Sequence, residues 1–346
     1  LKKAIFVVDD NEINLAIVKA ALGEEFNVVT MNSGKKLFEF LQRVTPHLIL
    51  LDIDMPVMDG FIILKKLKAT RNYTHIPVIF LTGTQDAVIE TKAFNNGIAD
   101  FVRKPFSTPA LISRLKQHIN TSQIIKERTI KFNRSNEALL YVLADIVESR
   151  DSFTGGHLER TAQYITILAH EMNKNGIYSS DLTKWDVSKL AISALLHDIG
   201  KIAIPDSILN KPGKLTAEER EIVKTHAIKG EALIDKILSK FGDEDMLLYN
   251  AKMFAAYHHE HWDGNGYPYG LKHEEIPIQG RIMAIVDVYD ALTTKRPYKH
   301  MFEHEEALKI ILEGSGTQFD PLIVDTFCGI SHEVKAINEN YRNSTC

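Results

Sequence analysis

Five short apolar runs, AIFVV, FNVVT, LILLDI, VIFLTG and ADFVRK, recur within the first 120 residues, separated by stretches of helical periodicity. Beyond residue 138 the strand-like runs give way to long amphipathic patterns at steps of three and four. This change of period constrains the fold more than any other feature. Short runs alternating with helices predict a five-stranded, doubly wound parallel α/β sheet, because parallel strands need long crossover connections. The remainder predicts a separate all-α bundle. A length of 346 residues exceeds one ordinary core and agrees with two domains. The predicted boundaries are a first domain at 1–122, a helical linker at 123–137 and a second domain at 138–340.

Charge narrows the partners. Lys and Arg number 41 against 45 Asp and Glu, a formal net charge of −4 with the signs interspersed. That balance provides no basic face for DNA or for an anionic membrane surface. No stretch approaches a membrane span, and the apolar run in LKKAIFVVDD is too short for a signal peptide. Two cysteines, Cys328 and Cys346, cannot build a disulfide framework, which predicts a soluble protein of a reducing cytoplasm.

In a doubly wound sheet, ligands sit beyond the carboxyl ends of the strands, so the polar residues closing each run matter most. They are Asp9 and Asp10, Asp52, Thr82 and Lys104. Three carboxylates on one rim repel unless a cation intervenes, and hard oxygen donors with room for water suit Mg²⁺. A lysine and a hydroxyl beside them complete a site for a phosphoryl group. The set resembles the response-regulator receiver domain over the whole segment. The resemblance implies a flavodoxin-like fold and a switch: Asp52, in LLDIDMPVMDG, accepts a phosphoryl group from a sensor histidine kinase or small donor. It also implies that Asp9, Asp10 and Asp52 bind Mg²⁺, that Thr82 and Lys104 contact the phosphoryl group, and that Phe101 is the switching aromatic.

Residues 111–146 contain neither proline nor glycine and read as one helix. Ile125, Phe132, Leu139 and Ile146 fall seven apart, the spacing of one row of a dimeric coiled coil, although Thr129 and Asn136 interrupt the companion row. Two readings follow: a homodimer through this helix, or a row that packs inside each domain.

The second domain carries inward histidines. A helix predicted over 216–240 opens on Thr216 and Glu219, a capping-box pair, and its apolar face includes Val223, His226, Gly230 and Leu233. On the next helix His258 shares a face with Ala251, Phe254 and Ala255, with His259 beside it. Asp287 interrupts the apolar run RIMAIVDVYDAL, where an unpaired buried carboxylate costs several kcal/mol. His197 and Asp198, in LLHDIGK, add adjacent donors near a helix end where Gly200 can turn the chain. Imidazoles and carboxylates without thiolates suit Fe, Mn, Zn or Ni, and more than four such donors imply at least two ions. The glycines of YHHEHWDGNGYP let the backbone curl back over the site.

HDIGK, the later His226, the His258–His259 pair, HWDGNGYPYGL and DVYDALTTKRPYK together resemble the HD-GYP family of cyclic dinucleotide phosphodiesterases, over about 138–337. The resemblance implies metal ligands at His157, His197, Asp198, His226, His258, His259 and Asp287, with Asp198 bridging two ions and Fe or Mn favoured. It implies that Lys201 faces the scissile phosphate, that Arg296 and Lys299 contact phosphate and base, and that Tyr267 and Asp290 line the dinucleotide pocket. The implied reaction opens cyclic di-GMP to pGpG and then cuts pGpG to GMP. Two positions depart from the pattern. Phe153 stands where three-metal members carry a ligand glutamate, which predicts a binuclear site unless Glu148 reaches across, and leaves open a preference for pGpG. Gln318 replaces a usual histidine and reads as peripheral. The rival functions are a cyclic di-GMP-binding effector without useful turnover and a general nucleotide phosphohydrolase.

Overall fold

The computed structural model of the chain describes residues 2–344 apart from 57, 71, 84–86, 151–155, 180–185, 242–244 and 295–300. It divides into two compact units, Leu1–Asn133 and Arg134–Cys346. In the first, strands β1 (Ala4–Val8), β2 (Asn27–Met31), β3 (Leu48–Asp52), β4 (Val78–Thr82) and β5 (Asp100–Arg103) form one sheet in the order β2-β1-β3-β4-β5. All its pairings are parallel. β3 and β4 are buried at every position, which is why their sequences are unbroken apolar runs and not alternating ones.

Helices cover both faces. Leu15, Val18 and Leu22 of α1 (Glu12–Leu22) pack on one side with Leu111, Leu115 and Ile119 of α5 (Thr108–Glu148). Leu37 of α2 (Gly34–Leu41), Leu64 and Leu67 of α3 (Gly60–Ala69) and Ala93 of α4 (Ala87–Asn95) pack on the other. The strand order reverses between β1 and β3, and the carboxyl ends of those strands bring Asp9, Asp10 and Asp52 to one crevice.

α5 is continuous over 41 residues and crosses the division between the units. Its Ala144 and Val147 are buried, Ala144 within the second core. Ile125, Phe132, Leu139 and Ile146 are 60 %, 65 %, 61 % and 54 % exposed, so the row does not pack inside either unit.

The second unit is helical, and among the described residues its only β pairing is an isolated bridge, Ser315 to Phe319. Helix Ile278–Thr293 is buried along most of its length. Its Ile282, Met283, Ile285, Val286 and Tyr289 share one core with Tyr164 and Leu168 of α6 (His157–Lys174), and with Phe254 and Phe327. Side-chain caps start the flanking helices: Asp186 accepts from Ser188 N, Asp245 from Leu247 N, and Asp320 from Leu322 N.

The predicted helix over 216–240 is two helices, Ala217–Lys224 and His226–Phe241. The Thr216–Glu219 capping box is present at the start of the first. The break at Thr225 has a local cause. Thr225 Oγ1 donates to Ile222 O and His226 Nδ1 to Val223 O, so two side chains claim carbonyls near the helix end. Among the described residues no helix is long and apolar enough to cross a membrane.

Candidate metal and phosphoacceptor sites

Four histidines of the second unit share one orientation. His197 Nδ1 lies 2.8 Å from Ala194 O, His226 Nδ1 2.7 Å from Val223 O, and His258 Nδ1 2.9 Å from Phe254 O. His157 Nδ1 lies 2.7 Å from Asp290 Oδ2. Carbonyl and carboxylate oxygens only accept, so each Nδ1 carries the hydrogen and, in the neutral ring, each Nε2 keeps its lone pair. These four Nε2 atoms turn into one region.

Asp198 stands among them. Its Oδ1 is 3.2 Å from His226 Nε2 and 3.8 Å from His258 Nε2, while its Oδ2 is 3.3 Å from His197 Nε2 and 2.8 Å from Lys201 Nζ. Burial opposes its charge, but Lys201, His197 and His226 hold its carboxyl well below the usual range, so it stays ionised. His226, His258 and His259 offer ligand atoms within 4.8 Å of one another on the Oδ1 side. Glu148, His157 and His197 form a second such group. Asp287, about a quarter exposed, brings Oδ1 to 3.7 Å from His157 Nε2.

The donor set fits divalent cations. His197 Nε2 and Asp198 Oδ1 are buried without a hydrogen bond. His226 Nε2 and His258 Nε2 approach to 3.3 Å with both Nδ1 hydrogens already committed to carbonyls. Burial and the neighbouring His197 and His226 push His258 down to about 3, so its ring is neutral. Burial and His258 likewise hold His259 well below its ordinary value. Lone pairs packed this closely need a shared positive charge, and imidazole nitrogens with carboxylate oxygens ligate transition ions.

The backbone is shaped to this cluster. Gly200 does not serve to turn the chain: a Cβ there would meet His226 O at 1.9 Å, so the glycine lets the 3-10 turn Ile199–Ala203 lie against the start of helix His226–Phe241. At Gly266 a Cβ would meet His261 N at 2.2 Å, which holds the glycine-rich loop against the segment carrying the histidines. Tyr267 stacks on His259 at 4.7 Å between centroids, and burial pushes its phenol up.

Asp290 departs from its predicted place on the dinucleotide pocket. It is 1 % exposed, and its carboxylate is taken up by His157 and by Arg160, at 2.6 Å and 3.0 Å. It therefore orients His157. Arg160 and Glu260 were not legible as site residues. Glu260, 2 % exposed, accepts from the backbone amides of Tyr269, Gly270 and Leu271 and so organises the loop; its signal was a carboxylate embedded between two histidines. Gln318 contributes its carbonyl to Trp262 N, 3.2 Å away. Phe153, Arg296 and Lys299 lie outside the described residues. Glu148 does reach the cluster, 3 % exposed and 3.6 Å from His157 Nε2, but it joins the His157–His197 group, so the described donors of this unit still form two groups.

In the first unit, Lys104 Nζ lies 2.7 Å from Asp9 Oδ2 and 2.6 Å from Asp52 Oδ1. Asp9, Asp10 and Asp52 offer ligand oxygens within 4.8 Å of one another, a set that suits Mg²⁺. Asp10 is exposed, which keeps one side open to water. Burial pushes the Asp52 carboxyl up against the opposing pull of Lys104. Thr82 is buried at the end of β4, and Phe101 is turned inward, 8 % exposed.

Comparison with known proteins agrees with this division. The response regulator receiver domain family matches residues 5–116, and the HD domain family matches residues 141–323. A Vibrio cholerae protein named "Probable cyclic di-GMP phosphodiesterase" is 39% identical over 337 residues, covering 93% of this chain and 76% of its own. The cyclic di-GMP phosphodiesterase response regulator RpfG of Xanthomonas campestris is 35% identical, over 93% of this chain and 86% of its own. A cyclic di-GMP phosphodiesterase of Thermotoga maritima is 33% identical, over 95% and 91%. The chain belongs to the HD domain hydrolase family, as a response regulator in which a receiver domain precedes the HD domain.

Proposed function

We propose that the second unit hydrolyses cyclic di-GMP to pGpG, and pGpG onward to GMP, at a two-metal centre held by His157, His197, Asp198, His226, His258, His259 and Asp287. The observation that carries this reading is Asp198, whose Oδ1 faces the Nε2 atoms of His226 and His258 while its Oδ2 faces that of His197, a member of the other donor group. The names of three relatives that match nearly the whole chain support the substrate. When bound, two divalent cations supply Lewis acidity that lowers the pKa of a water and neutralises charge on the phosphoryl oxygens. Fe or Mn is favoured by a donor set of imidazole and carboxylate, with Ni or Zn as substitutes.

The residues divide the remaining work. Asp198 keeps the two groups of donors at a fixed separation, and Asp290 holds the His157 ring with its Nε2 directed inward. Lys201, 2.8 Å from Asp198, brings a cation beside the donor groups to stabilise the phosphoryl oxygens of the substrate. Tyr267 presents an aromatic wall next to His259 on the substrate side. Arg296 and Lys299 are assigned to phosphate and base contacts on the RPYK motif alone.

Control is assigned to the receiver in the cytoplasm: a sensor histidine kinase phosphorylates Asp52 with Mg²⁺ bound by Asp9, Asp10 and Asp52. The exposed seven-residue row of α5 supports a homodimer, since four large apolar side chains on one helix gain by burial against a second copy; a monomeric mass by light scattering at micromolar concentration would count against it. The catalytic reading is tested by anaerobic purification, metal analysis and product time courses on cyclic di-GMP and on pGpG. Two ions per chain with pGpG rising and then GMP is the expected outcome. Tight binding of cyclic di-GMP without product under Mn²⁺ or Fe²⁺ overturns it in favour of an effector.

A further inference from the structure

The helix that closes the receiver ends inside the metal cluster. α5 runs unbroken over Thr108–Glu148, and its last residue is a carboxylate 3 % exposed. Glu148 Oε1 lies 3.6 Å from His157 Nε2, and Glu148, His157 and His197 offer ligand atoms within 4.8 Å of one another. The Nδ1 anchors of both histidines leave their Nε2 atoms facing this carboxylate.

Two physical costs accompany that position. A carboxylate taken from water loses its hydration, and at a helix C-terminus it meets the negative end of the helix dipole. An ion pair with His157 compensates poorly at this distance, because charge-assisted N–H···O bonds close to about 2.8 Å. Donors that share one tetrahedral ion at about 2.1 Å stand roughly 3.4 Å apart. The observed 3.6 Å separation matches a shared ion better than a direct bond.

We propose that Glu148 is a metal ligand of the His157–His197 pocket, delivered by the last turn of α5. The inference rests on the two-metal reading above. Among the described residues, Glu148 is the carboxylate that joins His157 and His197 in one group of ligand atoms.

The test uses the full chain and its Glu148→Gln variant, both stripped of metal and titrated with Mn²⁺, with bound ions counted by elemental analysis and affinity read by calorimetry. Wild type should bind two ions, and the variant should weaken one of them by about tenfold or more. Both tryptophans, Trp185 and Trp262, fall in 134–346, so their fluorescence reports melting of the second unit. Metal-free Glu148→Gln should keep its fold and melt close to the wild-type temperature, since Gln preserves the shape of the side chain and a ligand's role is exercised only with the ion bound. A lower metal-free melting temperature with unchanged Mn²⁺ affinity overturns the proposal and makes Glu148 a structural partner of His157. Fewer than two ions in wild type removes the two-metal reading, and Glu148's role with it.

Discussion

At the receiver's strand ends one cation of the chain, Lys104, bridges Asp9 and Asp52, whereas Asp198 meets Lys201 through Oδ2 alone and the imidazole Nε2 atoms around it stand 3.2 to 3.8 Å from its oxygens. The first site is shallow, made of hard oxygens, and open at Asp10. It suits an ion that exchanges with each phosphorylation cycle. The second is deep, built from imidazoles whose Nδ1 atoms are tied down, and suits ions retained through many turnovers. The two candidate sites thus differ in donor type and in depth of burial, as the proposed switch and the proposed catalytic centre require.

The sharpest way to break this contrast is Asp198→Ala. It removes the carboxylate shared by both donor groups, and turnover should fall by about a thousandfold or more with loss of at least one ion per chain. Phosphorylation of Asp52, followed with a small phosphodonor, should proceed unchanged. Asp290→Asn should act more mildly: His157 loses its charged anchor and Arg160 its partner, so metal affinity should drop about 10- to 100-fold while the fold persists by circular dichroism.

Acidity probes the same depth. Burial first, then His197 and His226, hold His258 at about 3, while the unfolded imidazole titrates near 6.5. Below 6.5 only the unfolded chain gains this proton, so metal-free stability falls as pH drops. His157 has the opposite sign. Burial opposes its charge, yet the hydrogen bond to Asp290 lifts it to about 9. Its contribution is complete below about 6.5 and disappears as pH rises toward 9. In urea unfolding read by tryptophan fluorescence, His258→Ala should flatten the acid limb and His157→Ala the alkaline limb, each by at most about 1.4 kcal/mol per pH unit. Parallel wild-type and variant profiles would refute both assignments. The smallest effect on the chemistry belongs to Asp52→Ala, which should leave metal-loaded turnover within about threefold of wild type and abolish its response to a phosphodonor; a loss as large as that of Asp198→Ala would erase the distinction between the sites.

Much of this was written into residue types and their spacing. Four of the five apolar runs close on Asp9, Asp52, Thr82 and Lys104, and these define the receiver because a strand's carboxyl end is a place in sequence as well as in space. The histidines 258 and 259 announced themselves by adjacency, and 226 by its place on an apolar face. Helical periodicity, however, reports a face and not a ring nitrogen. Tertiary structure alone decided that four Nε2 atoms converge, that Asp198 divides its oxygens between two groups, and that Asp290 lies beneath His157 and not on the substrate pocket. His157 and Asp290 are 133 residues apart, and no local pattern encodes that pairing. The arrival of Glu148 at the cluster was settled the same way, by contacts between side chains that exist only once the helices are packed.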